Sequence, residues 1–93
     1  MILHHIQKSP SQDGALRLCL RYIAKDDALL LSGDAVTAPM VRQWSMALSP
    51  YKVFLLEDDV IARGLGGHLG KYTQVSYERW VELSLQYQKV ITW

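Results

Sequence analysis

Tyr51-Lys52-Val53-Phe54-Leu55-Leu56-Glu57-Asp58-Asp59-Val60-Ile61-Ala62-Arg63-Gly64-Leu65 is the stretch that decides how this chain is read. Tyr51 to Leu56 is an apolar run of strand length. Glu57, Asp58 and Asp59 then open a short helix, because carboxylates are favoured beside the unpaired amides and partial positive charge of a helix start. Arg63-Gly64 closes it, since glycine takes the left-handed conformation of a helix end without a Cβ clash. This is one strand-to-helix unit with both ends marked, and it recurs along the chain.

Upstream, Ile2 to Ile6 reads as a short strand carrying His4 and His5. Ser9-Pro10-Ser11 breaks it before a helical pattern over about Gln12 to Lys25. Asp26 and Asp27 introduce Ala28-Leu29-Leu30-Leu31, an apolar run without alternation, as expected of a parallel strand covered on both faces. After Gly33-Asp34 a second helix is expected, with Pro39 in its first turn and Met40, Val41, Trp44, Ala47 and Leu48 on one apolar face. Downstream come a glycine-rich loop from Gly66 to Gly70, a strand near Gln74-Val75, a helix from Tyr77 to about Gln86 and a last strand over Lys89 to Thr92. In that last helix Glu78, Arg79, Glu82 and Gln86 gather on one side, and Tyr77, Trp80, Val81 and Leu83 cover the rest. Strand and helix alternate throughout, so the expected class is α/β: a small single domain over residues 1–93, with a mainly parallel sheet, flanking helices and right-handed crossovers.

Composition narrows the function classes. The 93 residues are 49% hydrophobic and 20% charged, the make-up of a folded domain, and a net charge of +1 supplies no broad field for nucleic acid or acidic lipid. Charge-driven nucleic-acid binding and membrane association are therefore not expected, and no apolar run approaches the roughly 20 residues needed to span a bilayer. The start of the chain lacks the features of a signal peptide, and one cysteine cannot form an internal disulfide, so a cytoplasmic location is expected. A domain this short leaves much surface uncovered, and a large apolar face would be covered by a partner or by self-association. Trp93 at the end of the chain is expected to pack against a surface of its own chain or a neighbour.

The chemistry-bearing residues are few. Cys19 projects into the middle of the helical stripe of Ala15, Leu16, Leu20 and Ile23, away from Arg17 and Arg21. That is a core position, whereas a persulfide carrier would need an exposed, activated thiol. His4 and His5 point to opposite faces of their strand and His68 sits in the glycine loop, so no metal site is expected. Glu57, Asp58 and Asp59 are accounted for by the helix start. Gly64, Gly66, Gly67 and Gly70 follow a helix instead of joining a strand to one, and lack the Gly-Lys-Ser/Thr signature of a phosphate loop; no cofactor is expected. Arg17, Arg21 and Lys25 form a basic helix edge of the kind usually solvated.

Lys8-Ser9-Pro10 after the opening strand, Asp34-Ala35-Val36-Thr37-Ala38 after the Leu-rich one, Lys52 to Gly64, Ser76-Tyr77 with Trp80, Val81 and Leu83, and the closing Trp93 occur in an order that resembles the TusB/DsrH family of sulfur-relay subunits, over nearly the whole chain. The resemblance implies the DsrE/DsrF/DsrH-like α/β fold. It also implies a structural, non-catalytic role in a heterohexamer with TusC-like and TusD-like chains, which passes persulfide sulfur from a TusA-like donor to a TusE-like acceptor for 2-thiolation of the tRNA wobble uridine. The relay cysteine of such complexes belongs to the TusD-like chain. DsrH-type members carry a cysteine matching Cys19, so a DsrH-like role in dissimilatory sulfur oxidation, with Cys19 as persulfide carrier, stays open. So does a standalone small-ligand or nucleotide-binding module with a flavodoxin-like sheet. Trp44, Trp80 and Trp93 are the candidate partner-interface residues. The family more often reads Asp-Gly where this chain has Gly33-Asp34-Ala35, which predicts a locally different turn, because alanine resists positive φ.

Overall fold

The computed structural model describes residues 1–93. Five strands, β1 (Ile2–Ile6), β2 (Ala28–Leu31), β3 (Lys52–Leu56), β4 (Thr73–Val75) and β5 (Lys89–Thr92), form one sheet in the order β4-β3-β2-β1-β5. Every pairing is parallel: His4 lies opposite Leu29 on one side and Ile91 on the other, and Leu30 lies opposite Phe54. β2 is the middle strand, and all four of its residues are buried. That is why its sequence lacks alternation: neither face meets water.

The connections explain which helix covers which face. From β1 to β4 each strand is laid beside the last in a constant direction, so right-handed crossovers put α1 (Ala15–Tyr22), α2 (Arg42–Leu48) and α3 (Glu57–Ala62) on one face. The step from β4 to β5 returns across the whole sheet in the opposite direction, and the same handedness sends α4 (Tyr77–Gln86) to the other face. The two cores are accordingly unequal. Ile6, Leu29, Leu31, Val53 and Leu55 pack with Leu16, Cys19, Leu48 and Val60 on the first face. Leu3, Ala28, Leu30, Phe54 and Val75 pack with the buried Leu83 of α4 on the second, and the partly buried Trp80, Tyr87 and Val90 pack against them. The sheet order also differs from the flavodoxin-like 2-1-3-4-5 arrangement, in which β1 lies between β2 and β3.

Three local expectations are corrected. α1 spans Ala15–Tyr22, not Gln12 to Lys25. Gln12 is used in a turn, its side chain accepting from the Ser9 amide and its own amide bonding the Ser9 carbonyl, while Asp13 Oδ1 accepts from Ala15 N. Pro39 lies inside a 3-10 segment, Gly33–Met40, instead of in the first turn of an α-helix. A residue preceding proline disfavours α geometry, and the extended Val41 separates this segment from α2. The predicted apolar face is thereby broken up: Leu48 is buried and Trp44 half-buried, but Met40, Val41 and Ala47 are exposed. Finally, the positive φ after β2 falls on Gly33 (φ +54) and Ala35 sits in the 3-10 segment, so the departure from Asp-Gly places no strain on alanine. Gly64 (φ +66) ends α3 as its sequence position predicts.

Candidate functional site

In parallel α/β sheets the loops at the carboxyl ends of the strands usually hold the ligand. Here those loops bind one another. Gly33 N donates to Asp59 Oδ2 at 2.7 Å, Arg63 donates to Asp34 Oδ1 at 2.6 Å, and Gln12 Nε2 donates to Asp34 Oδ2 at 2.8 Å. A second Arg63 nitrogen reaches the Asp59 carbonyl at 3.2 Å. The bonds from Arg63 and Gln12 hold the Asp34 carboxyl below the usual carboxylate range. Asp59 therefore does more than open α3. Its side chain fastens the β3 loop to the β2 loop, a role that a local reading of Glu57-Asp58-Asp59 does not reveal. The result is a closed polar knot that lacks a free nucleophile or paired free carboxylates. The recesses lie at the opposite, amino ends of β3 and β4. One measures about 290 Å³ and is lined by Leu48, Ser49, Tyr51, Lys52, Lys71 and Thr73 among others; the larger, about 370 Å³, adjoins it and is lined by Ser45, Met46, Ser49, Lys71 and Tyr72.

Cys19 is where helical projection puts it, fully buried in the larger core. Burial, reinforced by the negative charge of Asp27, pushes its thiol up to about 12. The nucleophile in sulfur transfer is a thiolate, and this side chain is neither ionised near neutral pH nor accessible. Alkylation of Cys19 by iodoacetamide in the native chain at pH 7.5 is expected to be at least about a hundredfold slower than in the urea-unfolded chain. Equal rates, read by mass spectrometry, would show an open and reactive thiol.

The histidines point to opposite faces as predicted, and neither is free. His5 lies against Trp80 and shares a 2.7 Å hydrogen bond with Ser32 Oγ, and burial lowers its pKa. His4 bonds to Asp27 Oδ2 at 2.9 Å and accepts from Trp93 Nε1 at 3.0 Å. Asp27 also accepts from Ile2 N and Ala24 N. Burial pushes its carboxyl up, but the bonds from His4, Ala24 and Ile2 outweigh that and hold it below its usual range. Asp27 and Ser32 went unrecognised in the sequence because each is a small polar residue flanking an apolar run, the ordinary make-up of a loop. No group of three or more His, Cys, Asp or Glu side chains is arranged to hold a metal ion, and no helix is long and apolar enough to cross a membrane.

With this geometry in place, comparison with known proteins assigns the chain. The family model described as DsrH like protein matches residues 8–90. Proteins named TusB from Yersinia pestis (strain Pestoides F) and Yersinia pseudotuberculosis (serotype O:1b) are 38% identical over 82 residues, covering 84% of this chain and 86% of theirs. The chain belongs to the TusB/DsrH family. A solved structure of a conserved protein of unknown function from Bacteroides thetaiotaomicron has the same fold, with a TM-score of 0.76, 12% identity and coverage of 99% of this chain and 94% of that one. Membership of the TusB/DsrH family carries the coarse functional class, a sulfur-relay subunit.

As a TusB/DsrH-family subunit the chain has three tryptophans in three different settings. Trp44 is half-buried on α2 against the larger core, with the Arg17 guanidinium 5.7 Å from its ring centroid. Trp93 lies on its own chain, stacked on Tyr22 at 6.4 Å and bonded to His4. Trp80 sits between His5 and Tyr77, each ring 5.4 Å away, and its indole N–H is buried with no hydrogen-bond partner. The structure does not bring the three together. The sequence places Tyr77 and Val81 on the apolar side of α4 with Trp80 and Leu83 but does not single out Leu85: Tyr77, Val81 and Leu85, spaced by four along its outer side, are 58%, 41% and 81% exposed. A solvated helix usually turns polar residues outward, so the spacing is a signal available from the sequence.

Proposed function

We propose that this chain is a structural, non-catalytic subunit of a cytoplasmic sulfur-relay complex. Its partners would be TusC-like and TusD-like chains in a TusBCD-like heterohexamer, which takes persulfide sulfur from a TusA-like donor and delivers it to a TusE-like acceptor for 2-thiolation of the tRNA wobble uridine. The observation that carries this reading is the burial of the one cysteine: a family of sulfur-relay subunits is represented here by a chain whose only thiol is enclosed in the core and held protonated. A subunit without a usable sulfur carrier contributes by assembly. The same observation argues against the DsrH-like alternative in which Cys19 carries persulfide.

The face offered for assembly is the outer side of α4, where Tyr77, Val81 and Leu85 form an apolar stripe with Trp80 at its margin. Covering such a stripe removes apolar surface from water, the main favourable term in most protein association. Trp44 and Trp93 are the further interface candidates at the other sheet face. The test is native mass spectrometry of the tagged chain purified gently from its own cells. The expected result is two similar small subunits recovered in equal numbers with this one, and a loss of at least about tenfold in their affinity on Leu85→Asp. Recovery of only monomer or homo-oligomer, under conditions that preserve other complexes, would remove the proposal.

A further inference from the structure

The tautomer of His4 is determined by its two partners. An indole N–H can only donate, so the Nδ1 that receives it at 3.0 Å carries a lone pair and no proton. Asp27 is held in its ionised, accepting form, so the Nε2 that meets its Oδ2 at 2.9 Å carries the hydrogen. His4 is therefore neutral with hydrogen on Nε2, and both ring nitrogens are used. The imidazole and the carboxylate are enclosed, with 3% and 6% of their residues exposed. A proton arriving at His4 has one place to go, Nδ1, where it would face the indole N–H. Two donors cannot share a hydrogen bond.

We propose that His4 is a proton-operated latch for the Trp93 side chain: the neutral imidazole holds the indole on the sheet, and protonation at Nδ1 releases it. The main chain stays in place, because Trp93 N bonds the His5 carbonyl at 3.0 Å and β5 remains paired to β1. What changes is the surface between α1 and β5, where the Tyr22 and Trp93 rings lie stacked with planes 15° apart. Release of the indole uncovers the His4–Asp27 pair and leaves Tyr22, already exposed, without its partner.

Few titratable groups surround the latch. From the loop after α1 comes Asp27, in direct contact; from α1 come the buried Cys19, which stays protonated, and Tyr22. Arg21, Lys25 and Asp26 belong to the same helix and loop but are exposed. Trp93, just after β5, contributes the indole; Tyr87, just before β5, lies within reach of the Asp27 charge; and His5 faces the opposite side of the sheet with Ser32 and Trp80. The sign follows from linkage. The released state can bind a proton at Nδ1, which in the latched state is taken by the indole N–H, so acid favours release, by up to about tenfold per pH unit.

Nuclear magnetic resonance on the intact chain tests this. Long-range nitrogen–proton correlations of His4 at pH 8 are expected to show hydrogen on Nε2 and a bare Nδ1; the opposite tautomer overturns the proposal. On acidification, the protection of the Trp93 indole N–H against exchange, relative to free indole, is expected to fall by up to about tenfold per pH unit as His4 gains its proton. Protection that persists while His4 titrates overturns the proposal, and so does a His4 that stays neutral until the fold is lost. His4→Gln keeps a donor for Asp27 and has no nitrogen that gains a proton, so whatever protection its indole retains is expected not to change with acid. An acid-dependent loss of protection surviving in that variant overturns the latch, and if the variant does not fold, the titration of the unaltered chain decides.

Discussion

Replacing Asp27 with alanine is expected to lower the unfolding free energy by about 2–5 kcal/mol, since each buried donor left unsatisfied costs about 1–3 kcal/mol. The carboxylate accepts from His4 Nε2, Ile2 N and Ala24 N, so its removal strands three donors, that of His4 fully buried and those of Ile2 and Ala24 partly so. Asp27→Asn is isosteric but not equivalent. Its one carbonyl oxygen can serve Ile2, while its amino group would confront the donors of His4 and Ala24. Urea unfolding followed by circular dichroism measures both variants, and a loss below about 1 kcal/mol for Asp27→Ala would show that water reaches these groups. The pH dependence has a definite sign. The folded carboxyl lies below its unfolded value, so its contribution is fully present above about pH 4 and is lost as pH falls through the folded pKa. Stability should therefore decline with acid in the unaltered chain, and this part of the decline should be missing from Asp27→Ala.

Gly33→Ala is expected to cost about 2–5 kcal/mol, from two sources that act together. The backbone at φ +54 disfavours any residue with a Cβ by about 1–2 kcal/mol. A Cβ there would also stand 2.9 Å from the carbonyl oxygen of Gln7, a main-chain atom with little freedom to move, and overpacking of this kind adds about 1–3 kcal/mol. That carbonyl already receives the Ala35 amide, and the Gly33 amide donates to Asp59, so displacement of the turn would disturb the contacts among the loops after β1, β2 and β3. Gly64→Ala is the control. It shares the left-handed geometry (φ +66) but has open space where the methyl group would go, so only the conformational part of the penalty applies. Equal losses for the two variants would mean that the Gln7 loop yields.

Where structure rests on local pattern, the sequence was a good guide. Ile2–Ile6, Ala28–Leu31, Tyr77–Gln86 and Lys89–Thr92 have the bounds that apolar periodicity and turn residues predict, and Cys19 is buried where helical projection puts it. The misreadings have two causes, one local and one not. Gln12 and Asp13 have good helical neighbours, but their side chains bond to nearby backbone amides and shorten α1. Asp59 looks like one more acid at a helix start, yet its partner is 26 residues away at Gly33. A local pattern cannot register a hydrogen bond whose other half is brought in by the fold.

The sequence by itself determined an α/β domain of alternating strands and helices, a sheet covered on both sides at β2, a core position for Cys19, and membership of the TusB/DsrH family, because these follow from the spacing of apolar residues and from motif order along the chain. Only the tertiary structure decided the strand order β4-β3-β2-β1-β5 and, through the handedness of the crossovers, that α4 alone covers one face and turns Tyr77, Val81 and Leu85 outward. It alone joined Trp93, His4 and Asp27, which are separated by up to 89 residues. The physical reason is that β5 pairs with β1, so the last strand lies beside the first and the two ends of the chain share one buried site.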